Sequence, residues 1–258
     1  MKLPLGDAIV TVGLSLGPPV IFLHAFPLDG RMWAPQLGVV KELGFTPLTV
    51  NAPGFGGSSL VGLCDMERYA DNAYAVWQAL ELTPAVVVGL SMGGYAALRL
   101  VERHPELLRG LVLANTKAEA DTPEAAEGRR QTAQRVLSEG STVLRETLLP
   151  KLVYAPSPAL RSQLEAALAE APPEAVSAAL RGMAIRPDSR RLLADITVPT
   201  LVIGAEHDPL TPPALAASLA EAIPGAALAV IPGAGHLSNL EAPEAFNAAL
   251  HSFLQGLA

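Results

Sequence analysis

Residues 85–94 read AVVVGLSMGG, an apolar run that ends in a serine between glycines. The first six residues suit a strand buried on both faces, and the residues after the serine have the apolar spacing of a helix. Ser91 therefore lies at a sharp strand-to-helix turn, where the strained and crowded backbone requires small neighbours. Gly89 and Gly93 meet that requirement. The amides that begin the helix would stabilise negative charge near the serine hydroxyl.

Strands and helices alternate on both sides of this turn. Other apolar runs predict strands at residues 20–23, 46–50, 108–114, 199–205 and 226–231. Helical spacing predicts helices at residues 32–43, 66–82, 92–102, 213–222 and 242–254. Before them, residues 2–5 and 8–14 flank Gly6-Asp7, which predicts a hairpin. The alternation predicts an α/β fold, with a mostly parallel sheet covered by helices on both faces.

The alternation is interrupted at residues 117–193, which contain no β-like run and are rich in Ala, Glu, Arg and Leu. Prolines divide this segment into about four predicted helices. These prolines are Pro150, Pro156, Pro158, Pro172 and Pro173. We predict a single core domain formed by residues 1–116 and 194–258, with residues 117–193 as a helical cap over the strand ends. The cap is expected to set substrate choice.

Composition and charge exclude several classes of partner. The 258-residue chain has a net charge of −7 with scattered cationic side chains, which disfavours binding to a nucleic-acid backbone. The single cysteine, Cys64, has no disulfide partner and no neighbouring cluster of metal-ligand spacing, so no metal is expected. No apolar run approaches the roughly 20 residues of a membrane span, and no signal peptide is recognisable. We expect a cytoplasmic protein without membrane partners, and the sequence leaves homo-oligomer formation open.

A serine hydroxyl needs a neighbouring base, because unassisted it is a weak nucleophile at neutral pH. His236 is the best candidate, since it lies in a glycine-rich loop after the last predicted strand. The other histidines suit the role less well. His104 and His251 lie at or within helices and His207 adjoins an acidic candidate, while His24 ends a central strand and is expected to brace the following loop.

The base in turn needs a carboxylate that orients its ring and stabilises its cation. Asp208 follows the predicted strand at 199–205, so it would lie at the same edge of the sheet as the serine. Glu206 is the alternative acid. The end of the preceding strand carries Asn115-Thr116 and no carboxylate. The arrangement predicts nucleophilic catalysis rather than a mere glycine-rich turn capped by serine.

Five segments together resemble the α/β-hydrolase superfamily, and the resemblance extends over essentially the whole chain. They are residues 24–27 (HAFP), 51–58 (NAPGFGGS), 89–94 (GLSMGG), 208–213 (DPLTPP) and 236–241 (HLSNLE). The chain order Ser, Asp, His is also the order of that superfamily. The last two segments are most similar to the branch of 3-oxoadipate enol-lactonases and small bacterial carboxylesterases, some of which show perhydrolase activity. The resemblance implies hydrolysis of a small-molecule ester or lactone through an acyl-enzyme, without a cofactor.

The same resemblance assigns an oxyanion hole, which requires two backbone N–H donors. Met92, the residue after the nucleophile, would supply one. Phe26 stands at the donor position of the His-Gly-X-Pro loop of many relatives and would supply the other, although Ala25 replaces the usual glycine. Asn51 stands where many relatives have Asp. The bulk of Phe26 leads to the hypothesis that small acyl chains are preferred.

Apolar cap residues are expected to face the substrate together with Phe26, although each is equally consistent with packing inside the cap. They are Leu144, Leu148, Leu152, Tyr154 and Met183. A haloalkane dehalogenase is disfavoured because that relative has an Asp nucleophile where Ser91 stands. Three alternatives remain open: a C–C bond hydrolase, a hydroxynitrile lyase, and a non-catalytic ligand-binding protein on the same fold.

Overall fold

The core is an eight-stranded sheet, seen in a computed structural model that describes residues 2–5, 8–12 and 17–257. In chain order the strands are β1 (Lys2–Leu5), β2 (Ala8–Val12), β3 (Pro19–Leu23), β4 (Thr46–Val50), β5 (Ala85–Leu90), β6 (Leu108–Ala114), β7 (Thr200–Ala205) and β8 (Ala227–Ile231). Their order across the sheet is β1-β2-β4-β3-β5-β6-β7-β8. The strands from β3 to β8 run parallel, whereas β2 is antiparallel to both of its neighbours. The predicted mostly parallel sheet is thereby confirmed.

The structure confirms the two strands of the predicted N-terminal hairpin. β1 and β2 pair in antiparallel register, with Leu5 opposite Ala8. The predicted turn at Gly6-Asp7 and the predicted last strand residues, 13 and 14, lie outside the described residues. The hairpin extends the sheet through the pairing of β2 with β4.

Helices cover both faces of the sheet. In chain order the α-helices are α1 (Leu37–Glu42), α2 (Met66–Ala79), α3 (Met92–Arg103), α4 (Pro123–Glu139), α5 (Leu144–Thr147), α6 (Leu149–Leu152), α7 (Pro158–Glu170), α8 (Pro173–Ala184), α9 (Pro213–Ala222), α10 (Ser238–Glu241) and α11 (Pro243–Gln255). Every residue of β5 is buried. Because successive side chains of a strand point to opposite faces, that burial requires cover on both sides.

The helix predicted at residues 32–43 is only partly α-helical. The chain first forms a 3₁₀ helix, Gly30–Gln36, and only then α1. Pro35 lies inside the 3₁₀ segment and has no N–H to donate to an α-helical ladder. The Asp29 side chain caps this segment by accepting a hydrogen bond from the amide of Arg31.

The segment predicted to be a cap is fully described, and its regular elements are all helices, with no strand. It holds five α-helices rather than about four. The sequence interpretation missed the break at Gly140, whose φ of 83° ends α4 without a proline. Pro150 does mark a helix boundary, as predicted, because α5 ends at Thr147 and Pro150 lies in the first turn of α6, where its missing N–H has no intrahelical partner to lose. Within the segment, α4 packs along α8.

Parallel pairing brings the ends of successive strands to one edge of the sheet. The last residue of β5, Leu90, pairs with Ala114 at the end of β6. At the far side of the sheet, Ala205 at the end of β7 pairs with Ile231 at the end of β8. The segments after these strands therefore emerge side by side, which places Ser91 and the two loops carrying the other candidate residues at the same edge.

Candidate active site

Ser91 occupies a backbone conformation that residues with a side chain rarely adopt, with φ 55° and ψ −112°. Hydrogen bonds on both sides hold it there. Its amide donates to the carbonyl of Ala114 at 2.9 Å, and its carbonyl accepts from the Thr116 hydroxyl at 2.9 Å. Such a conformation costs on the order of 1–3 kcal/mol and persists only where the surroundings enforce it. In this conformation the serine hydroxyl projects from the strand-to-helix turn.

The glycines around Ser91 are required by close backbone contacts. A Cβ atom on Gly89 would lie 2.4 Å from the carbonyl oxygen of Gly93. A Cβ atom on Gly93 would lie 2.1 Å from the carbonyl oxygen of Leu23, at the end of β3. Both distances are too short for any side chain, so the predicted need for small neighbours is confirmed. The second contact also shows that the turn abuts the start of the loop after β3.

Three side chains from three segments form one hydrogen-bonded chain. The Nε2 atom of His236 lies 2.7 Å from the Oγ atom of Ser91. The Nδ1 atom of the same ring lies 2.8 Å from Oδ2 of Asp208. Because an ionised carboxylate only accepts, Nδ1 carries the proton and Nε2 is left free to accept from the serine hydroxyl. The structure thus brings together the three residues that were expected to act together, and both His236 and Asp208 are buried.

The carboxylate of Asp208 is surrounded by donors. Its Oδ1 atom accepts from the amides of Leu210 and Thr211 at 2.8 and 3.0 Å. Its Oδ2 atom accepts from the Asn115 side-chain amide at 3.0 Å and from the Thr211 hydroxyl, in addition to His236. Burial by itself raises the pKa of this carboxyl, but the hydrogen bonds and the charge of His236 outweigh it and hold the pKa below 3.8. Asp208 is therefore ionised at neutral pH.

Two residues that support the acid were missed by the sequence analysis. Asn115 was passed over because it is not a carboxylate, yet its side chain donates to Asp208 and accepts from the Ser238 hydroxyl at 2.6 Å. Its position directly after β6 was the available signal. Ser238, two residues after His236, carried no comparable signal, because its contact with Asn115 spans 123 positions of the chain.

The alternative acid, Glu206, is directed elsewhere. Its carboxylate accepts from the amide of Gly233 at 2.8 Å, at the surface. The neighbouring His207 also points away from the site and stacks on Tyr154 with 3.7 Å between ring centroids. Of the two candidate acids, Asp208 is therefore the one in contact with His236, at 2.8 Å.

His24 braces the loop after β3, as predicted. Its Nε2 atom accepts from the amide of Ala52 at 2.9 Å, so Nδ1 carries the proton and donates to the carbonyl of Ala25 at 3.0 Å. The same carbonyl accepts from the amide of Leu28 at 2.9 Å. Since C=O and N–H of a trans peptide point in opposite directions, these bonds turn the N–H of Phe26 away from them. In the described part of the chain, the backbone N–H groups of Phe26 and Met92 donate to no protein acceptor.

Burial lowers the pKa of His24 from its ordinary value of 6.5 to about 4, against the opposing effect of its bond to Ala25. Between these two pH values His24 is protonated in the unfolded chain but not in the folded protein. The free energy of unfolding must therefore fall as the pH drops through that range. From pH 6.5 to pH 4 the expected loss is about 3 kcal/mol of unfolding free energy. Urea unfolding of the parent protein and of His24→Gln would measure it. Identical pH dependence in the two proteins would refute the assignment.

The predicted substrate-contacting residues occupy different environments. Phe26 is buried edge-to-face against Phe55, with ring centroids 6.5 Å apart. Tyr154 is 58% exposed, and its ring covers His207. The other residues pack within the cap or against the core: Leu144, Leu148, Leu152 and Met183.

A cavity of about 570 Å³ opens between the core and the cap. It is lined by residues from segments 27–32, 55–57 and 163–172 and by Leu240. Neither Ser91 nor His236 lines it directly, but Pro27 follows Phe26 in the chain and Leu240 lies four residues after His236. The predicted cap residues do not reach this cavity, because it is α7 that faces it. These residues are Leu144, Leu148, Leu152, Tyr154 and Met183.

The described part of the chain offers no second centre of metal or thiol chemistry. There, no group of three His, Cys, Asp or Glu side chains is placed to hold a metal ion. No helix in the same part is long and apolar enough to cross a bilayer. Cys64 is buried, and burial raises the pKa of its thiol to about 12. The thiol is therefore protonated and unreactive at neutral pH.

The eight-stranded sheet and the Ser91–His236–Asp208 contacts agree with a known protein family. The chain belongs to the α/β-hydrolase family, because the sequence pattern described as alpha/beta hydrolase fold matches residues 18–243. It is 29% identical over 251 residues to 3-oxoadipate enol-lactonase 2 of Acinetobacter baylyi, covering 95% of this chain and 91% of the relative. It is 31% identical over 268 residues to BpoC of Mycobacterium tuberculosis, whose name describes a non-heme bromoperoxidase, covering 92% of this chain and 94% of the relative.

A solved structure shows the same likeness. The thermophilic esterase from Thermogutta terrifontis superposes on this protein with a TM-score of 0.95 at 33% sequence identity. The superposition covers 100% of this chain and 99% of the esterase. The predicted resemblance to the family, including its esterases and enol-lactonases, is thereby confirmed. The protein belongs to a family of enzymes, and its relatives include hydrolases.

Proposed function

We propose that this protein is a serine hydrolase that cleaves carboxylic esters or lactones through an acyl-enzyme. The observation that carries the proposal is the continuous hydrogen-bonded chain from the Ser91 hydroxyl through His236 to Asp208. Similarity to an esterase and to an enol-lactonase supports this choice of substrate class. The reaction needs no cofactor, because all of its proton transfers can be made by the imidazole.

The proposed reaction begins when the Ser91 hydroxyl attacks the substrate carbonyl carbon while His236 takes its proton. Asp208 stabilises the imidazolium that forms. The tetrahedral oxyanion accepts hydrogen bonds from the amides of Met92 and Phe26, whose N–H groups have no described protein acceptor. Collapse breaks the bond to the leaving oxygen, which takes the proton from His236. Water, deprotonated by the same histidine, then attacks the acyl-enzyme; collapse breaks the bond to Ser91 Oγ, which takes the proton back from His236 as the acid is released.

Labelling with a fluorophosphonate probe tests whether the serine is activated. The probe phosphonylates a serine only where a base removes its proton, so the parent protein should be labelled at Ser91 and the Ser91→Ala variant should not. A panel of uncharged esters, lactones and thioesters then identifies the bond that is cleaved. An unlabelled parent protein would instead indicate the non-catalytic ligand-binding alternative. A labelled protein that turns over none of the panel would favour the C–C hydrolase or lyase alternatives.

Short acyl chains are expected to be preferred over long ones. The Phe26 side chain belongs to the residue of the proposed oxyanion donor and is buried edge-to-face against Phe55, so we expect it to narrow the space for a long chain. We expect kcat/KM to be higher for p-nitrophenyl acetate than for the octanoate, and the ratio to shrink in Phe26→Ala, which keeps the backbone amide. Equal turnover of the two esters by the parent protein would contradict this expectation.

A second candidate activity is perhydrolysis, favoured by the similarity to BpoC, whose name describes a non-heme bromoperoxidase. Hydrogen peroxide would replace water in the last step, give up a proton to His236 and attack the acyl-enzyme. The product would be a peracid, which oxidises bromide outside the protein. Bromination of a dye in acetate, bromide and peroxide would reveal this activity. It should disappear in Ser91→Ala if the acyl-enzyme is its source.

A further inference from the structure

Glu241, at the end of α10, joins the loop of the proposed base to the cap. Its Oε2 atom accepts from the amide of Gly235 at 2.7 Å, directly before His236 in the chain. Its Oε1 atom accepts from the amides of Tyr154 and Ala155 at 2.9 and 2.6 Å. Oε2 also lies 3.1 Å from the amide of Tyr154. One carboxylate therefore satisfies three backbone donors from two segments that are 80 residues apart in the chain.

Two further contacts show that these segments are in direct backbone contact. The amide of Leu237 donates to the carbonyl of Leu152 at 2.8 Å. A Cβ atom on Gly235 would lie 2.7 Å from the backbone nitrogen of Tyr154 and 2.9 Å from the carbonyl carbon of Val153. Only a glycine allows the two chains to approach this closely. The cap at residues 152–155 thus rests on the loop that carries His236.

We propose that Glu241 is a positioning residue, which holds the His236 loop and cap residues 152–155 in one fixed arrangement. The proposal rests on the proposed function, because its consequence is the alignment of His236 with Ser91. The imidazole lies 2.7 Å from the serine hydroxyl, a distance that a shift of the loop would directly change. A displacement of about 1 Å in a catalytic group can cost on the order of 100-fold in rate. A movement of the cap at 152–155 would be transmitted to the base by the same carboxylate.

The chemistry of the side chain gives a sharp test. A carboxylate has two acceptor oxygens and no donor, and here each oxygen faces backbone N–H groups. In Glu241→Gln, one of the two oxygens becomes an NH₂ group, which is a donor facing a donor. The glutamine can therefore serve the cap or the histidine loop, but not both. Glu241→Ala removes both connections.

The positioning role of Glu241 is tested by measuring kcat and KM for a short-chain ester in Glu241→Gln, Glu241→Ala and the control Glu244→Gln. Glu244 is exposed and lies three residues further along the chain, so its replacement makes the same change in charge. We expect kcat to fall about 10- to 100-fold in both Glu241 variants with a much smaller change in KM. The control should match the parent protein. Melting temperatures measured alongside show whether each variant is folded.

A second readout does not depend on any activity. Hydrogen exchange at the amides of Gly235, Tyr154 and Ala155 should be faster in the Glu241 variants than in the parent and in Glu244→Gln. If the parent protein is inactive on every ester, the proposed function is wrong. Faster exchange in the Glu241 variants would still support the connection between the cap and the His236 loop. Folded Glu241 variants with parental kcat would overturn the positioning role, and unchanged exchange at all three amides would overturn the connection itself.

Discussion

Replacing Ser91 with alanine is expected to abolish ester hydrolysis almost completely, with kcat lowered by about a millionfold. The substitution removes the attacking oxygen, and the remaining imidazole and oxyanion donors can only assist a slow attack by water. Losses of about that size follow removal of the serine in other triads. The variant should fold normally, because alanine keeps the hydrogen bonds that the Ser91 backbone makes to Ala114 and Thr116. Steady-state hydrolysis of a p-nitrophenyl ester, measured at high enzyme concentration, would determine the loss.

The matched control for this experiment is Ser218→Ala. Ser218 lies exposed on α9, so its hydroxyl contributes nothing to the site, and the variant should have the activity of the parent protein. A Ser91→Ala protein with undiminished hydrolysis would show that another group is the nucleophile. The hydrogen-bonded chain of Ser91, His236 and Asp208 would then not be the catalytic machinery.

Replacing Asp208 with asparagine is expected to lower kcat by about 10⁴-fold. The acid fixes the tautomer of His236 by accepting from Nδ1. An amide NH₂ turned toward the ring would donate to Nδ1 and force the proton onto Nε2, which could then no longer accept from Ser91. Turned the other way, the same NH₂ would face the donating amides of Leu210 and Thr211. Neither orientation satisfies all the surrounding donors.

Glu206→Gln is the appropriate control for the acid, because Glu206 was the alternative candidate and lies two residues away. Its carboxylate accepts only from the amide of Gly233 among the described contacts, so its loss should leave kcat unchanged. Activity lost in Glu206→Gln but kept in Asp208→Asn would reverse the assignment. Asp208 also affects stability at acid pH. Because its pKa is depressed when folded, the stabilisation is present above the unfolded value and is lost as the pH falls through the lower, folded value.

Local sequence patterns predicted most of the fold. The strand from Ala85 to Leu90 and the helix from Pro213 to Ala222 were placed correctly because apolar periodicity reports burial directly. Errors occurred where a single residue changed the local geometry. Gly140 ended a helix without a proline, and Pro35 left a 3₁₀ segment where an α-helix was expected. In both cases the backbone freedom or the missing N–H of one residue decided the outcome.

The serine turn and the candidate base and acid could also be identified from the sequence. Ser91 directly follows β5, whereas Asp208 and His236 lie three and five residues after the ends of β7 and β8, and a parallel sheet brings such positions to one edge. Ser91 carries an additional signal, since its glycine neighbours are needed by contacts as short as 2.1 Å. Asn115 lies at an equivalent position, but its role as a donor to Asp208 follows from the geometry of two side chains and not from its residue type.

The amino-acid sequence was sufficient to predict the α/β architecture, the strand-end positions of Ser91, Asp208 and His236, and the family. These depend on residue type and on spacing along the chain, which are local properties. The three-dimensional packing was needed to show which cap helix faces the cavity and that Glu241 bridges the cap and the histidine loop. Such contacts join residues far apart in the chain, 87 positions in the case of Glu241 and Tyr154. Their existence depends on how the packed elements direct each side chain, which no local pattern records.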